Sequence, residues 1–258
     1  MLNKYGKDFI DTLNKIKYSK NAYEIFSDWL IMAAASLYSW KRDQKTESEY
    51  SEIAKQYTKE ELDKHSQLLE ITVNALENEG QDFLGEIFSE LNLTSARTGQ
   101  FFTPYHISLM MAKMVIGDNL LPDKKLLRID EPCCGSGGML IASIEVLKKR
   151  GFNYQQDAYF IANDIDARCA RMTYIQLSLL AAPAVIWCGN TLTLETYWKR
   201  ETIGYHMAGI DFRLRAEAML EIIRNPIPAE EMPEAPAPVI TLPQSGNITQ
   251  GELFTNEN

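Results

Sequence analysis

The segment from Asp130 to Gly138 holds the residues of this chain whose types best suit small-molecule chemistry. It reads DEPCCGSGG, which places two acids, a proline, two adjacent cysteines, a serine and three glycines directly after a short apolar run. Glycine allows a backbone to approach a ligand closely and to adopt turns that other residues resist. Such a segment could serve a metal ion, a redox pair, a phosphate group or another small molecule.

The cysteines do not suit a metal or redox site. Zinc sites pair cysteines that are about two to four residues apart, whereas Cys133 and Cys134 are adjacent and Cys169 and Cys188 stand alone. A C-x-x-C redox pair is also absent from the sequence. We therefore predict no metal, and we interpret the cysteines as small apolar side chains under a tight turn.

The segment matches neither of two common phosphate-binding motifs. A phosphate-binding P-loop needs a lysine after its last glycine, and no lysine follows here. The dinucleotide pattern G-x-G-x-x-G is matched only by Gly135 and Gly137, because Leu140 stands where its last glycine should be. The segment would therefore offer few binding groups to a pyrophosphate.

Polar residues that end three apolar runs favour a different ligand. Asp130 and Glu131 end the first run, Asp164 and Asp166 end the second, and Asn190 ends the third. A carboxylate at such a strand end can accept both ribose hydroxyls of a nucleoside, and an asparagine can bond an adenine edge. Carboxylates and a glycine floor suit a positively charged nucleoside without phosphate, which describes S-adenosylmethionine.

Alternating strands and helices must position these groups. The runs KKLLRID, DAYFIANDID and PAVIWCGN are predicted strands, and MLIASIEVLKKR and ARCARMTYIQLSLLAA between them are predicted helices. Strand, helix, strand, helix, strand predicts an α/β fold with a parallel sheet. The glycine loop then lies at the carboxyl end of the first strand.

The rest of the chain divides into a helical part and a tail. Residues 1–95 carry apolar residues at helical spacing, as in EELDKHSQLLEITVNALENE and QDFLGEIFSELNL, and we predict a helical N-terminal domain. The α/β domain is predicted over residues 96–225. Residues 226–258 contain six of the ten prolines, and no lysine or arginine occurs after Ala229, so we predict a disordered, acidic tail.

The composition bears on the cellular compartment of the protein and on whether it binds DNA. No apolar run is long enough for a membrane span, and the N-terminus lacks the features of a secretory signal. Four cysteines without framework spacing favour a reducing cytoplasm. The net charge of −9 argues against strong unaided DNA binding, and we interpret the basic clusters 148–150 and 199–200 as solvated helix ends.

Four motifs in order resemble a known family. TGQFFTP, then DEPCCGSGG, ANDID and GNTL, between about residues 80 and 195, resemble the adenine-N6 DNA methyltransferases. The resemblance is greatest to the modification (M) subunit of type I restriction-modification systems. It implies a partial Rossmann-like class I methyltransferase sheet behind an N-terminal helical domain, S-adenosylmethionine as the cofactor, and DNA methylation as the activity.

The resemblance carries over residue by residue to a set of cofactor-binding positions. Residues 102–104 would line the methionine end of the cofactor, Asp164 would bind the ribose, and Asn190 would lie near the adenine. Glu131 stands where the family has aspartate, and Cys133 stands where it usually has alanine. The implied cofactor-binding residues are Phe102, Thr103, Pro104, Glu131, Pro132, Cys134, Gly135, Ser136, Gly137, Asp164, Ile165 and Asn190.

The family's catalytic motif, [ND]-P-P-[YFW], does not occur in the sequence. In the family, its polar side chain and a carbonyl orient the target amino group, and its aromatic ring stacks on a flipped base. Asn225-Pro226 is the only Asn-Pro pair, and we interpret it as a helix stop. We assign no catalytic residue and do not expect self-sufficient catalysis. A catalytically inactive regulatory or interaction protein, anti-restriction or replication-linked, and a methyltransferase for another substrate stay open.

Two partner predictions follow. A three-stranded half-sheet would leave the first strand as an exposed edge, so we predict self-association or a protein partner there. In the tail, QGELF resembles the Q-x-x-L-F peptide that binds bacterial sliding clamps, through Gln250, Leu253 and Phe254.

Overall fold

The computed structural model describes residues 2–16, 20–79, 81–91, 102–116 and 126–224. The part before residue 92 is helical, as predicted from its periodicity. Its helices are α1 (Lys4–Leu13), α2 (Ala22–Tyr38), α3 (Gln44–Ala54), α4 (Lys59–Glu79) and α5 (Phe83–Glu90), and the 3-10 turn Ser39–Lys41 follows α2.

The part after residue 101 alternates strands and helices. It contains α6 (Tyr105–Ile116), β1 (Leu127–Glu131), α7 (Gly138–Lys149), α8 (Tyr154–Asp157), β2 (Ala158–Asp164), α9 (Ala167–Leu179), β3 (Ala184–Asn190), β4 (Glu195–Glu201), α10 (Ile203–Met207) and α11 (Ile210–Arg224). The predicted α/β fold is confirmed, because β1 and β2 are parallel and so are β2 and β3.

The sheet has one more strand than the sequence analysis expected. Its order is β1-β2-β3-β4, and β4 runs antiparallel to β3. The residues Thr196, Tyr197 and Trp198 in β4 are of the β-branched and aromatic types that favour strands. The expected three-stranded sheet was therefore wrong.

One hydrophobic cluster joins the N-terminal helices to the sheet. Phe9, Phe26 and Trp29 of α1 and α2 are buried together with Phe88 of α5 and Phe160 of β2. The rings of Phe9, Phe26, Trp29 and Phe88 pack edge to face or tilted, as between Phe9 and Trp29, whose centroids are 5.1 Å apart. The N-terminal helices are therefore part of the core that supports the strand ends.

The other face of the sheet has a smaller cluster, in which Tyr159 and Val185 pack with Tyr205 and Ile210. One compact unit of the chain extends to Leu214 and a second begins at Arg215. Of the second unit, the structure describes the last part of α11.

Three predictions fall outside the described residues. They are the domain boundary near residue 95, the disordered tail over residues 226–258, and the QGELF peptide within that tail. Within the described residues, no helix has both the length and the apolar character that crossing a membrane requires.

Candidate functional site

The glycine loop turns the chain from β1 into α7 and is fastened to the end of β2. Gly135 and Gly137 have φ values of +55° and +97°, which side chains with a Cβ resist. The Gly135 N–H donates to Asp164 Oδ2 at 2.8 Å, and the Cys134 N–H donates to the Asn163 carbonyl at 2.8 Å. The strand-end acid therefore fixes the loop in place.

Helix α9 packs against the glycine loop. Thr173 Oγ1 donates to the Gly135 carbonyl at 3.0 Å, and a Cβ at Gly137 would lie 3.1 Å from that hydroxyl oxygen. Cys134 is buried under the turn, where burial raises the pKa of its thiol, so the thiol stays protonated and packs as an apolar group. Cys133 is exposed instead. Within the described residues, no cluster of His, Cys, Asp and Glu is arranged to hold a metal ion.

A buried carboxyl group joins the N-terminal helices to the loop. Asp82 caps α5 and accepts hydrogen bonds from the Gly85 N–H at 3.1 Å, from Gln176 Nε2 at 2.8 Å and from the Ser136 hydroxyl. Gln176 Nε2 also donates to the Ser136 carbonyl at 2.8 Å, and Gln176 Oε1 accepts from the Leu84 N–H at 3.1 Å. Burial raises the pKa of Asp82.

Sequence reasoning missed both Asp82 and Gln176. An aspartate three residues before Gly85 is a recognisable helix N-cap, but that signal explains only the start of α5. The contact with Ser136 depends on how α5 packs against the loop, and no local pattern contains it.

The segment 102–104 lies beside the glycine loop and α5. The Phe102 ring packs on Phe88 of α5 with centroids 5.3 Å apart, and a Cβ at Gly135 would come within 3.2 Å of it. The Gly135 backbone and the Phe102 ring thus approach each other closely. Pro104 lines an adjoining groove of about 380 Å³.

These elements surround a cleft of about 490 Å³, within the range of about 300–1,000 Å³ that is common for small-molecule sites. Nine of the twelve predicted residues line it, namely Phe102, Thr103, Pro132, Cys134, Gly135, Ser136, Asp164, Ile165 and Asn190. Pro104, Glu131 and Gly137 do not. The lining residues that sequence analysis did not predict are Asp82, Ser108, Cys133, Gly138, Met139, Cys169, Gly189, Thr191 and Leu192.

The cleft is acidic. Its lining includes the carboxyl groups of Asp82 and Asp164 and, among the described residues, no lysine, arginine or histidine. Burial raises the pKa of Asp164, against the effect of backbone N–H groups that donate to it. Burial likewise raises the pKa of Glu131 at the end of β1, and the charge of Asp164 raises it further. A cationic ligand would stabilise these carboxylates, whereas a phosphate would be repelled.

The wall formed by the end of β3 is bonded to the glycine loop. Asn190 Oδ1 accepts from the Leu192 N–H at 2.9 Å and so shapes the turn after β3. Thr191 Oγ1 donates to the Pro132 carbonyl at 2.7 Å and is contacted by the side chain of Asn163. The three strand ends are thus held in one arrangement.

Lys199 and Arg200, the second basic cluster of the sequence, and His206 do not line the cleft. Lys199 and Arg200 are on β4, so their interpretation as a solvated helix end was wrong. Arg200 is buried, with an amino group 3.6 Å from Glu49. His206 lies 2.7 Å from Glu201 and does not line the cleft.

Two solved structures that resemble the chain are distant in sequence. One is a putative class I S-adenosylmethionine-dependent methyltransferase from Listeria monocytogenes, with a TM-score of 0.41 and 16% identity, matching 71% of this chain and 52% of that one. Another is the type I restriction-modification system methyltransferase subunit from Streptococcus thermophilus, with a TM-score of 0.37 and 12% identity, matching 70% of this chain and 55% of that one. The chain spans about half the length of these structures. No curated protein matches it significantly.

A family model provides the assignment. The N-6 DNA methylase model matches residues 79–222, which is more than half of the chain and contains the glycine loop, the strand ends and the Asp82 cap. The cofactor of this family is S-adenosylmethionine. The chain belongs to the N-6 DNA methylase family.

Proposed function

We propose that this chain binds S-adenosylmethionine in the cleft and is the cofactor-binding part of a DNA adenine-N6 methyltransferase related to restriction-modification M subunits. The observation that carries the proposal is the charge of the cleft, whose described lining has acids and no basic side chain. The cofactor carries a sulfonium, an ammonium and a carboxylate group and no phosphate, so its net positive charge matches this acidic wall.

Particular residues would hold the cofactor. The Gly135 backbone allows close approach, and Asp164, at the end of β2, is placed to accept ribose hydroxyls while it holds the loop. Ile165 and Asn190 lie on the cleft wall where an adenine ring would contact them. When bound, the cofactor supplies an electrophilic methyl group.

Groups that orient the acceptor are not expected from this chain. The full sequence contains no [ND]-P-P-[YFW] tetrapeptide, so the alignment of a target amino group must depend on other residues. We propose that the chain does not methylate DNA alone, and that another polypeptide completes the site. With a net charge of −9, DNA binding is weak without such a partner. The four free thiols suit a cytoplasmic setting.

The first experiment is calorimetric titration of S-adenosylmethionine into the full chain and two variants. Asp164→Asn removes the charge and keeps one of the two oxygens that accept from the Gly135 and Asp166 N–H groups. We expect it to weaken binding at least about tenfold, equal to about 1.4 kcal/mol. Asp211→Asn, an exposed acid outside the cleft, should bind like the wild type. Absence of wild-type binding, or a preference for a pyrophosphate-containing dinucleotide, would contradict the proposal.

The missing tetrapeptide also favours a second candidate, a catalytically inactive cofactor-binding protein that acts in regulation or in antagonising restriction. Transfer of labelled methyl groups to DNA separates the two. Activity that appears only when cell extract or a separate methyltransferase fragment is added supports the first candidate. Cofactor binding without transfer under all these conditions supports the second.

A further inference from the structure

Ser108 of helix α6 carries a hydroxyl group that is buried and unpaired. The residue is 1% exposed, and within the described residues its Oγ has no hydrogen-bond partner. Buried polar groups are nearly always paired, and leaving one unpaired costs free energy. The hydroxyl therefore requires a partner that the described part of the chain does not supply.

The backbone around Ser108 gives the reason why its hydroxyl is unpaired. A serine within a helix can donate to the carbonyl four residues before it, as Ser143 of α7 donates to the Met139 carbonyl at 2.9 Å. For Ser108 that carbonyl belongs to Pro104, and it already accepts the N–H groups of Ile107 at 2.8 Å and of Ser108 itself at 3.2 Å. Because a carbonyl oxygen has two lone pairs, no position on it is left for the hydroxyl.

The unpaired hydroxyl belongs to the wall of the cleft, since Ser108 is one of the residues that line it. Two other hydroxyl groups of the lining, on Ser136 and Thr191, donate to acceptors within the protein. Thr103 is exposed, so solvent reaches it. Among the described residues of the lining, Ser108 thus has the buried hydroxyl that is left to bond a ligand.

The proposed cofactor has one group that the acidic lining does not suit. Its methionine end carries a carboxylate, and the described lining has no lysine, arginine or histidine to pair with it. A hydroxyl can donate to a carboxylate instead, and such charge-assisted bonds are strong. Ser108 is the fourth residue of α6, and the partial positive charge at a helix N-terminus favours an anion as its partner.

We propose that the Ser108 hydroxyl binds the carboxylate of S-adenosylmethionine and so makes the cleft recognise the intact amino-acid end of the cofactor. This inference rests on the proposed function and adds a residue to it. The segment 102–104, which the sequence resemblance assigns to the methionine end, shares the cleft wall with Ser108 through Phe102 and Thr103.

Calorimetric titration with two related compounds tests this role. Decarboxylated S-adenosylmethionine keeps the adenosine, the sulfonium and the ammonium group and lacks the carboxylate. Ser108→Ala should weaken binding of S-adenosylmethionine about tenfold, because a hydrogen bond to a charged group is lost. It should change the affinity for the decarboxylated compound by less than about twofold. Comparing the two losses cancels the repulsion between the acidic lining and a carboxylate, which is present in both proteins.

Ser143→Ala is the matched control. Ser143 is a buried serine of the neighbouring helix α7, bonds a carbonyl of its own helix and does not line the cleft. This variant should bind both compounds like the wild type. Urea unfolding without cofactor gives a second readout, in which Ser108→Ala should be at least as stable as the wild type, because the deleted hydroxyl has no protein partner.

Four results would overturn the inference. An equal loss of affinity for both compounds in Ser108→Ala would show that the hydroxyl does not act on the carboxylate. No loss for either would show that water satisfies the hydroxyl. A lower urea midpoint of cofactor-free Ser108→Ala would show that the hydroxyl has a partner in the protein. If the wild type binds neither compound, the proposed function fails as well, which distinguishes this result from the other three.

Discussion

At the residue scale, one carboxyl group positions the cofactor loop. Asp82 receives hydrogen bonds from an N–H of α5, from the Ser136 hydroxyl of the loop and from Gln176 of α9. Gly85 leaves room for this arrangement, because a Cβ there would lie 2.2 Å from Asp82 Oδ2 and 2.5 Å from Ser136 Oγ. Three segments that are far apart in sequence therefore meet at one buried side chain.

Removal of this carboxyl group should loosen the loop. Asp82→Ala removes the acceptor of the buried Ser136 hydroxyl and of the Gly85 N–H, and leaves the Gln176 amide with only its bond to the Ser136 carbonyl. Each unsatisfied group costs about 1–3 kcal/mol of unfolding free energy. We also expect weaker binding of S-adenosylmethionine. Asp82→Asn keeps an acceptor oxygen and should lose less of both. Urea unfolding and calorimetry measure the two effects.

Glu70→Gln, at an exposed acid of α4 outside the cleft, serves as the control for these variants. If Asp82→Ala unfolds like the wild type and also binds the cofactor equally well, Asp82 does not position the loop. If it is destabilised and binding is unchanged, the role of Asp82 is structural only.

At the element scale, α4 carries a buried histidine whose carbonyl accepts a hydrogen bond from Trp29 Nε1 of α2 at 3.1 Å. His65 is buried, and within the described part of the chain neither of its ring nitrogens has a hydrogen-bond partner. The Tyr57 ring packs on it with centroids 4.6 Å apart. Burial lowers the pKa of His65 to about 4 from 6.5, so the ring is neutral when the protein is folded.

The sign of the pH effect follows from this lowered pKa. Between pH 6.5 and 4 the unfolded chain binds a proton at His65 that the folded chain resists. His65 therefore destabilises the fold as the pH falls below 6.5, by about 2 kcal/mol between pH 7 and pH 5 at about 1.4 kcal/mol per pKa unit.

Substitution by a ring that does not titrate isolates this effect. His65→Phe keeps an aromatic side chain and should reduce the loss of unfolding free energy between pH 7 and pH 5 by about that amount. Urea unfolding of both proteins at the two pH values measures it. An equal loss in the two proteins would show that His65 is not responsible.

At the scale of the whole molecule, the C-terminal tail gives a prediction that is independent of the α/β core. The tail peptide QGELF, within residues 225–258, lies outside the described structure. Its leucine and phenylalanine resemble the anchors of clamp-binding peptides, which suit a preformed apolar groove.

We expect the full chain to bind a bacterial sliding clamp. Leu253→Ala combined with Phe254→Ala should abolish binding, because apolar anchors carry most of the energy of such contacts. Ile248→Ala combined with Thr249→Ala, in the same tail, should retain it. Titration of the purified clamp with each protein measures the affinities. Failure of the wild-type chain to bind would refute this prediction.

The sequence by itself determined the local features of this protein. Gly135 and Gly137 predicted the tight loop, alternating apolar runs predicted three parallel strands, and the motif order predicted the family. These features depend on neighbouring residues, whose backbone preferences and hydrophobic periodicity can be recognised in the sequence alone. Nine of the predicted residues line the cleft, because the ends of parallel strands meet at one edge of the sheet.

Only the tertiary structure decided the contacts between distant segments. Asp82 and Gln176 are 94 residues apart in sequence, and their hydrogen bond exists because α5 packs beside α9. The antiparallel pairing of β4 and the buried position of Arg200 likewise depend on which surfaces meet. Such contacts are set by packing and by the satisfaction of buried polar groups, which local sequence patterns do not encode.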